Sequence, residues 1–231
     1  MTKPDPSISV VLAAFQEEST IDAVVRGCRE HTPGLIEMLV IDDGSTDDTA
    51  TRAERAGATV IRMGKNQGKG AAIRRGLERA RGDVLLFMDA DGQDDPADIP
   101  LLLAALEPGV AMVVGSRFLG HFERGAITPL NKAGNQLLTQ IANVLFSANL
   151  TDTQAGFRCV RRSALESLRL SAKRYDIEVD LLLGVLRSGG RVVEVPVRRD
   201  ARRHGRSQLG SFRDGTRILV RIFRRRFAPK R

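Results

Sequence analysis

In the stretch FMDADGQDDP (residues 87–96), four carboxylates and an amide follow directly on a run of apolar residues. Asp89 and Asp91 stand two apart, a spacing that sends both side chains to one face of extended backbone. Hard divalent cations such as Mg²⁺ and Mn²⁺ take oxygen ligands, often one or two carboxylates, and water and phosphate oxygens complete the shell. Asp89 and Asp91 are therefore candidate metal ligands, and Gln93 offers a third oxygen, directly or through water. Alternating acids also open an EF-hand calcium loop, but that loop needs Gly at its sixth position and Glu at its twelfth. Here those positions are Asp94 and Pro100. Asp94 and Asp95 read as solvated turn residues or caps for a helix starting at Pro96.

A second acidic pair, Asp42 and Asp43, closes an apolar segment in VIDDGSTDDT (40–49). A carboxylate at a strand end can accept hydrogen bonds from a nucleobase or a ribose hydroxyl, and Asp42 is the candidate for that task. Asp47 and Asp48 read as turn and helix cap. The glycine-rich GKNQGKGAA (64–72) fails as a P-loop, because Gly64 and Gly68 enclose three residues and Gly70 follows Lys69. It also fails as a dinucleotide fingerprint, since Ile73 stands where the third Gly belongs. What survives is a helix start with small residues and Lys69, able to approach a nucleotide. Arg117 in GSRF and Arg158 in GFR end apolar segments; buried Arg is rare without a partner, so both are candidates to hold an anion. Arg161, Arg162 and the arginines from Arg213 onward read as solvated or lipid-facing. His31, His121 and His204 have no metal or triad spacing and read as surface or helix-end residues.

These groups need a scaffold. ISVVLAAF, IEMLVIDD, ATVIRM, DVLLFMDA and VAMVVGSRF read as strands without polar alternation, separated by helical segments. That pattern predicts an α/β fold with a mostly parallel, Rossmann-like sheet covered by helices on both faces, with ligands beyond the carboxyl ends of the strands. Further helices are expected at PADIPLLLAALEPG, over 129–148 and near DIEVDLLLGVLRSGG, and a strand at RVVEVPV. From residue 211, Phe212, Thr216, Leu219, Phe223 and Phe227 follow helical spacing on one side, and Arg213, Arg217, Arg221, Arg224 and Arg225 occupy the others. This predicts a basic amphipathic helix.

With 231 residues, 42% hydrophobic and 28% charged, the chain can bury one large core. Its net charge of +8 is concentrated at one end: residues 198–231 hold 13 Lys or Arg against 2 acids. An anionic partner is implied: nucleic acid, lipid or a phosphorylated substrate. Cys28 and Cys159 are too few for a disulfide framework and read as buried apolar residues of a protein in a reducing cytosol. There is no signal pattern, and no apolar run approaches the roughly 20 residues of a membrane span.

In order, VVLAAFQEE, VIDDGSTDDT, GKGAAIRRGLERARGD, MDADGQ, VVGSRF, DTQAGFR, IEVDLLLGVLRSGGRVVEVPV and RRHGRSQL resemble the family 2 glycosyltransferases of the polyprenyl-phosphate type, the dolichyl-phosphate mannose synthases being the nearest group. The resemblance runs from about residue 7 to 210. It implies a GT-A fold over 1–210, with a nucleotide-sugar-binding half over 1–117 and an acceptor-binding half over 118–210, followed by the basic helix over 211–231. It implies Mg²⁺ or Mn²⁺ on Asp89, Asp91 and Gln93, and donor contacts from Ala13, Phe15, Glu17, Asp42, Lys69 and Ala90. Arg117, Arg158, Arg202 and Ser207 fall near the acceptor and donor phosphates, with Asp89, Asp91 and Arg117 catalytic. The chain departs from the family in having Ala13 for Pro, Gln16 for Asn, and Gln208 for the Lys that often follows the Ser.

The chemistry agrees. A phosphate monoester is ionised at neutral pH and can attack an anomeric carbon without a base. The site must then supply a metal for the departing nucleoside diphosphate and guanidiniums for the acceptor phosphate. The expected reaction is inverting transfer of a hexose, mannose from GDP-mannose, to a polyprenyl phosphate, with UDP-glucose or a soluble acceptor as the alternatives. A lipid acceptor places the protein at the cytoplasmic face of a membrane, held by the C-terminal helix and the apolar face of 130–148, on lipid or on a membrane-protein partner. A nucleotidyltransferase would instead release pyrophosphate. Nucleic-acid binding is disfavoured, because the body is net negative and aromatics are only 4%.

Overall fold

The computed structural model describes residues 6–166, 168–202 and 211–228. The first half alternates β1 (Ile8–Ala14), α1 (Ile21–His31), β2 (Leu35–Asp42), α2 (Thr49–Arg55), β3 (Thr59–Arg62), α3 (Lys69–Arg79) and β4 (Val84–Asp89). A 3₁₀ turn over Pro96–Asp98 leads into α4 (Ile99–Ala104), so the helix expected at Pro96 is split, with Pro100 in the first turn of its second part. The second half holds β5 (Val110–Phe122), α5 (Pro129–Phe146), β6 (Arg158–Arg161), α6 (Arg162–Leu165), α7 (Ile177–Arg187), β7 (Arg191–Arg199) and α8 (Ser211–Phe227).

Seven strands form one sheet in the order β3-β2-β1-β4-β6-β5-β7. All neighbours run parallel except β6, which is antiparallel to both β4 and β5. Adjacent residues on each strand serve opposite layers. Val10, Leu12, Leu86 and Met88 pack with α1, α2 and α4 on one face, while Val11, Leu85 and Phe87 pack with α3 and α7 on the other. Both faces are buried, so the strands show no polar alternation. Cys28 and Cys159 are fully buried and unpaired with each other, as expected.

Strand β6 was not anticipated. Its four residues, RCVR, carry Arg at both ends and read as polar, yet both arginine side chains donate to main-chain carbonyls. Arg161 donates to Val110 O at 2.9 Å and Leu106 O at 2.7 Å, and Arg162 to Gly82 O at 2.8 Å, so these two are ties between segments and not solvated charges.

The C-terminal helix is amphipathic as expected, and it also carries a buried stripe apart from its phenylalanines. Ile218 and Ile222 are buried against Ala142 of α5 and Val179 and Leu183 of α7, whereas Phe223 and Phe227 are exposed and stack with centroids 6.3 Å apart. The two isoleucines thus dock the helix on α5 and α7. Leu130, Leu137 and Val144 of α5 are likewise exposed. Among the described residues, no helix is long and apolar enough to cross a membrane.

Candidate active site

Parallel register sets Ala13 of β1 level with Ile41 of β2 and Asp89 of β4, so these strands end together and their loops open into one cleft. Ala13, Phe15, Glu17, Lys69, Asp89, Ala90, Asp91, Gln93, Arg117 and Arg202 all line it. The sequence expectation is thus brought together for most of its residues. Ser207 lies outside the described residues.

Asp89 is the hub. Its Oδ1 bonds the Lys69 ammonium, which also reaches Glu178 Oε1 at 2.6 Å. Burial penalises Lys69, but Asp89 and Glu178 outweigh it and raise its pKa. Burial also opposes the ionised Asp89, which Lys69 and Arg199 nevertheless hold down at about 2. Gly156 lies against this carboxylate: a Cβ there would sit 2.8 Å from Asp89 Oδ1, so the glycine is a cradle that only hydrogen fits. Asp91 takes the Gln93 N–H on Oδ1 at 3.1 Å and Arg202 on Oδ2.

Arg199 was missed because it was read as the start of a basic tail. It is held in the acid cluster, 2.7 Å from Asp94 Oδ1 and 3.5 Å from Asp91 Oδ2, and these acids raise its pKa against the cost of burial. Asp94 is consequently not a solvated turn residue. It is 4% exposed, and burial pushes its carboxyl up. Asp95 does cap the following turn, accepting from Ala97 N at 3.0 Å. The Gln93 amide is engaged at both ends, accepting from Arg199 at 3.1 Å and donating to Asp200 O at 2.9 Å.

The donor set fits a hard cation. Asp89 and Asp91 both line the cleft, and buried Glu178 Oε2 and Asp94 Oδ2 carry no hydrogen bond among the described residues. No group of three or more His, Cys, Asp or Glu is arranged as a ligand set among the described residues. A two-carboxylate site suits a cation that leaves most of its shell to water and phosphate.

Arg117 is aimed by a relay that the sequence did not reveal. Its Nε and Nη2 fork onto Asp152 at 2.6 and 2.8 Å. Glu194 of β7 in turn accepts from Asp152 N at 2.8 Å and Thr151 N at 2.7 Å, fixing the loop that carries Asp152. Burial raises the Glu194 carboxyl.

Two expected contacts are relocated. Arg158 is 1% exposed and does not reach the cleft; it donates to Glu178 O at 2.7 Å and to Ala155 O, bracing the segments behind Asp89. Burial pulls its pKa down. Asp42 turns away to accept from Ser45 N at 3.0 Å, and Asp43 lines the cleft instead, accepting from Gln67 N at 2.7 Å and Gly68 N at 2.8 Å. Consecutive residues point oppositely, so one of the pair had to face the turn. The Gly68 N–H is thereby committed. Cβ atoms at Gly68 and Gly70 would meet Lys173 O at 2.5 Å and Ala172 O at 2.6 Å, so these glycines serve a close chain crossing. Gln16 has φ of 58° and is held by Ser45 and Thr46. Asn adopts that left-handed conformation more readily, which accounts for its use in the family.

Burial raises the Glu17 carboxyl to about 7, with Arg202 pulling it down and Asp91 pushing it up. Such a group holds its proton more tightly when folded. Its stabilising contribution is present in full below the unfolded value of 4.5 and is lost as pH rises to about 7. In urea unfolding at about pH 5 and about pH 8, Glu17→Gln is expected to gain on the parent protein at the higher pH. An equal difference at both would show that Glu17 is not raised.

The family model for glycosyl transferase family 2 matches residues 9–169. The chain belongs to that family. It is 30% identical over 227 residues to the glycosyltransferase AglJ of Haloferax volcanii, covering 97% of this chain and 73% of that protein. It is also 30% identical to the polyprenol monophosphomannose synthase of Mycolicibacterium smegmatis, over 90% of this chain and 82% of the relative. Among solved structures, it is similar to glucosyl-3-phosphoglycerate synthase from Mycobacterium tuberculosis in complex with Mn²⁺, UDP-glucose and phosphoglyceric acid. The TM-score is 0.78 at 26% identity, covering 97% of this chain and 81% of that one. The fold is GT-A, and the protein is a glycosyltransferase.

Proposed function

We propose that this glycosyltransferase moves a hexose, with inversion, from a nucleotide sugar to a polyprenyl phosphate. The observation that carries the reading is the convergence of Asp89 and Asp91 with Arg117, Arg199 and Arg202 on one cleft at the strand ends. Asp89 and Asp91 would hold Mg²⁺ or Mn²⁺, and Gln93, whose amide bonds Arg199 and Asp200 O, would contribute through water. When bound, the ion supplies positive charge to the leaving diphosphate.

The acceptor phosphate oxygen attacks the anomeric carbon, the bond from that carbon to the diphosphate oxygen breaks, and its electron pair leaves with the nucleoside diphosphate. No proton need move, because the attacking phosphate is already ionised. Arg117, fixed by Asp152, and Arg202 orient phosphates by charge-assisted hydrogen bonds. Ala13, Phe15, Glu17, Asp43 and Ala90 form the nucleoside end. Mannose from GDP-mannose is the first donor choice, supported by the mycobacterial mannose synthase relative. UDP-glucose with a soluble phosphorylated acceptor is the second, supported by the solved neighbour. The exposed apolar residues of α5 and α8, beside Arg224 and Arg226, support attachment to the cytoplasmic face of a membrane through an anionic lipid surface.

Purified protein incubated with Mg²⁺ or Mn²⁺, a short polyprenyl phosphate and a panel of nucleotide sugars is expected to release nucleoside diphosphate and form glycolipid with one donor. Sugar transferred to phosphoglycerate but never to lipid would establish the second reading. Pyrophosphate as the released product would overturn both.

A further inference from the structure

Two carboxylates, Asp176 and Asp180, tie the last helix to the segment beside the cleft. Asp180, fully buried in α7, accepts from Arg225 Nε of α8 at 2.5 Å on one oxygen; on the other it accepts from the main-chain N–H groups of Ser171 and Ala172 at 3.0 and 3.1 Å. Asp176, just before α7, accepts from Arg221 Nε and Nη2 at 2.9 and 2.7 Å, and its other oxygen takes Arg174 N at 3.3 Å. Arg221 Nη1 adds a bond to Ser171 Oγ at 2.6 Å, and Arg225 Nη2 one to Arg169 O at 2.8 Å.

The segment held this way is a wall of the cleft. Its carbonyls at Ala172 and Lys173 press on Gly68 and Gly70 at the start of α3, and its Arg174 and Tyr175 side chains line the cleft. In the first turn of α7, Glu178 holds Lys69, which holds Asp89. A path of direct contacts therefore runs from α8 to the carboxylates.

We propose that α8 positions the donor wall of the cleft through the Arg221–Asp176 and Arg225–Asp180 clamps. Ile218 and Ile222 supply the docking energy of the helix, and the two arginines set where residues 171–175 stand. Removing an arginine leaves a buried carboxylate without its cation, and the main-chain groups bonded to that carboxylate must readjust. A wall resting on glycine contacts has no side chain to take up a shift, and small displacements at a binding site are costly. Arg221 and Arg225 are positioning residues in this account; neither lines the cleft.

The test compares Arg221→Gln/Arg225→Gln with Arg213→Gln, an exposed arginine on the same helix, and with Arg225→Lys. Hydrogen exchange at Ser171 and Ala172 is the first readout, and binding of GDP and UDP in Mn²⁺ is the second. The double variant is expected to exchange about 10-fold faster at those two amides and to bind nucleotide about 10-fold more weakly, KM rising more than kcat falls, with Arg225→Lys between it and the parent and Arg213→Gln unchanged. Unchanged exchange overturns the proposal. So does protection lost equally across α5, α7 and α8, which would make α8 only a cover. The nucleotide arm rests on the proposed donor class and the exchange arm does not. A parent protein that binds neither nucleotide defeats that donor reading, and the exchange comparison still decides the clamp.

Discussion

Asp91→Asn is expected to lower sugar transfer about 10³-fold while the fold is retained, because one neutralised oxygen at this position acts on two partners at once. Asp91 bonds Arg202 and lies 3.5 Å from Arg199, and its other oxygen shapes the DGQ turn through Gln93 N. An amide of the same shape keeps the turn but removes the charge that gathers the guanidiniums and would bind a cation. Turnover measured across a Mn²⁺ titration, together with Mn²⁺ binding followed by electron paramagnetic resonance, separates the two losses. Near-parental turnover, or unchanged Mn²⁺ affinity with transfer lost, would remove Asp91 from the metal site.

The largest stability effect is expected at Asp152, far from any strand-end motif. Its side chain is wholly buried and holds Arg117, itself only 14% exposed. Asp152→Ala leaves the guanidinium without its counter-ion, and breaking a buried pair from one side costs about 3–5 kcal/mol. Urea unfolding of the parent, Asp152→Ala and Asp152→Asn should rank in that order of stability loss only if shape fails to substitute for charge. The expected order places the asparagine variant between the other two. A loss under about 1 kcal/mol for the alanine variant would mean that Arg117 finds another partner, which contradicts the relay from Glu194. Activity should fall with stability in both variants, since the same fork aims Arg117 at the cleft.

These two residues differ in how readily they are found. Asp91 follows an apolar run and shares a strand end with Asp89, so type, spacing and position all mark it. Asp152 sits in LTDTQAGFR with no local feature to distinguish it from a turn acid. Arg158 and Arg199 show the same difficulty from the cationic side. Both are large and charged. Both are buried, and only their partners distinguish a brace on the Ala155 and Glu178 carbonyls from a member of the acid cluster, which neighbouring residues in sequence do not reveal. Asp42 and Asp43 were separated by the pleat: adjacent residues face opposite ways, and the turn took the one that sequence reasoning had assigned to the cleft.

What the sequence by itself determined was the periodic part of this protein. Uninterrupted apolar strands, helices between them, acids at strand ends and the ordered motifs lead to a metal-capable α/β transferase fold, because backbone geometry and two-sided burial act over a few residues. Only the tertiary structure decided which charge answers which. Arg199 meets Asp94, Arg117 meets Asp152, and Arg225 meets Asp180 across separations of 35 residues or more. It also decided that α8 docks by isoleucine and leaves phenylalanine exposed. The reason is physical. A buried charge is tolerated only beside its counter-charge, and which two charges become neighbours depends on where the strand and helix ends meet in space.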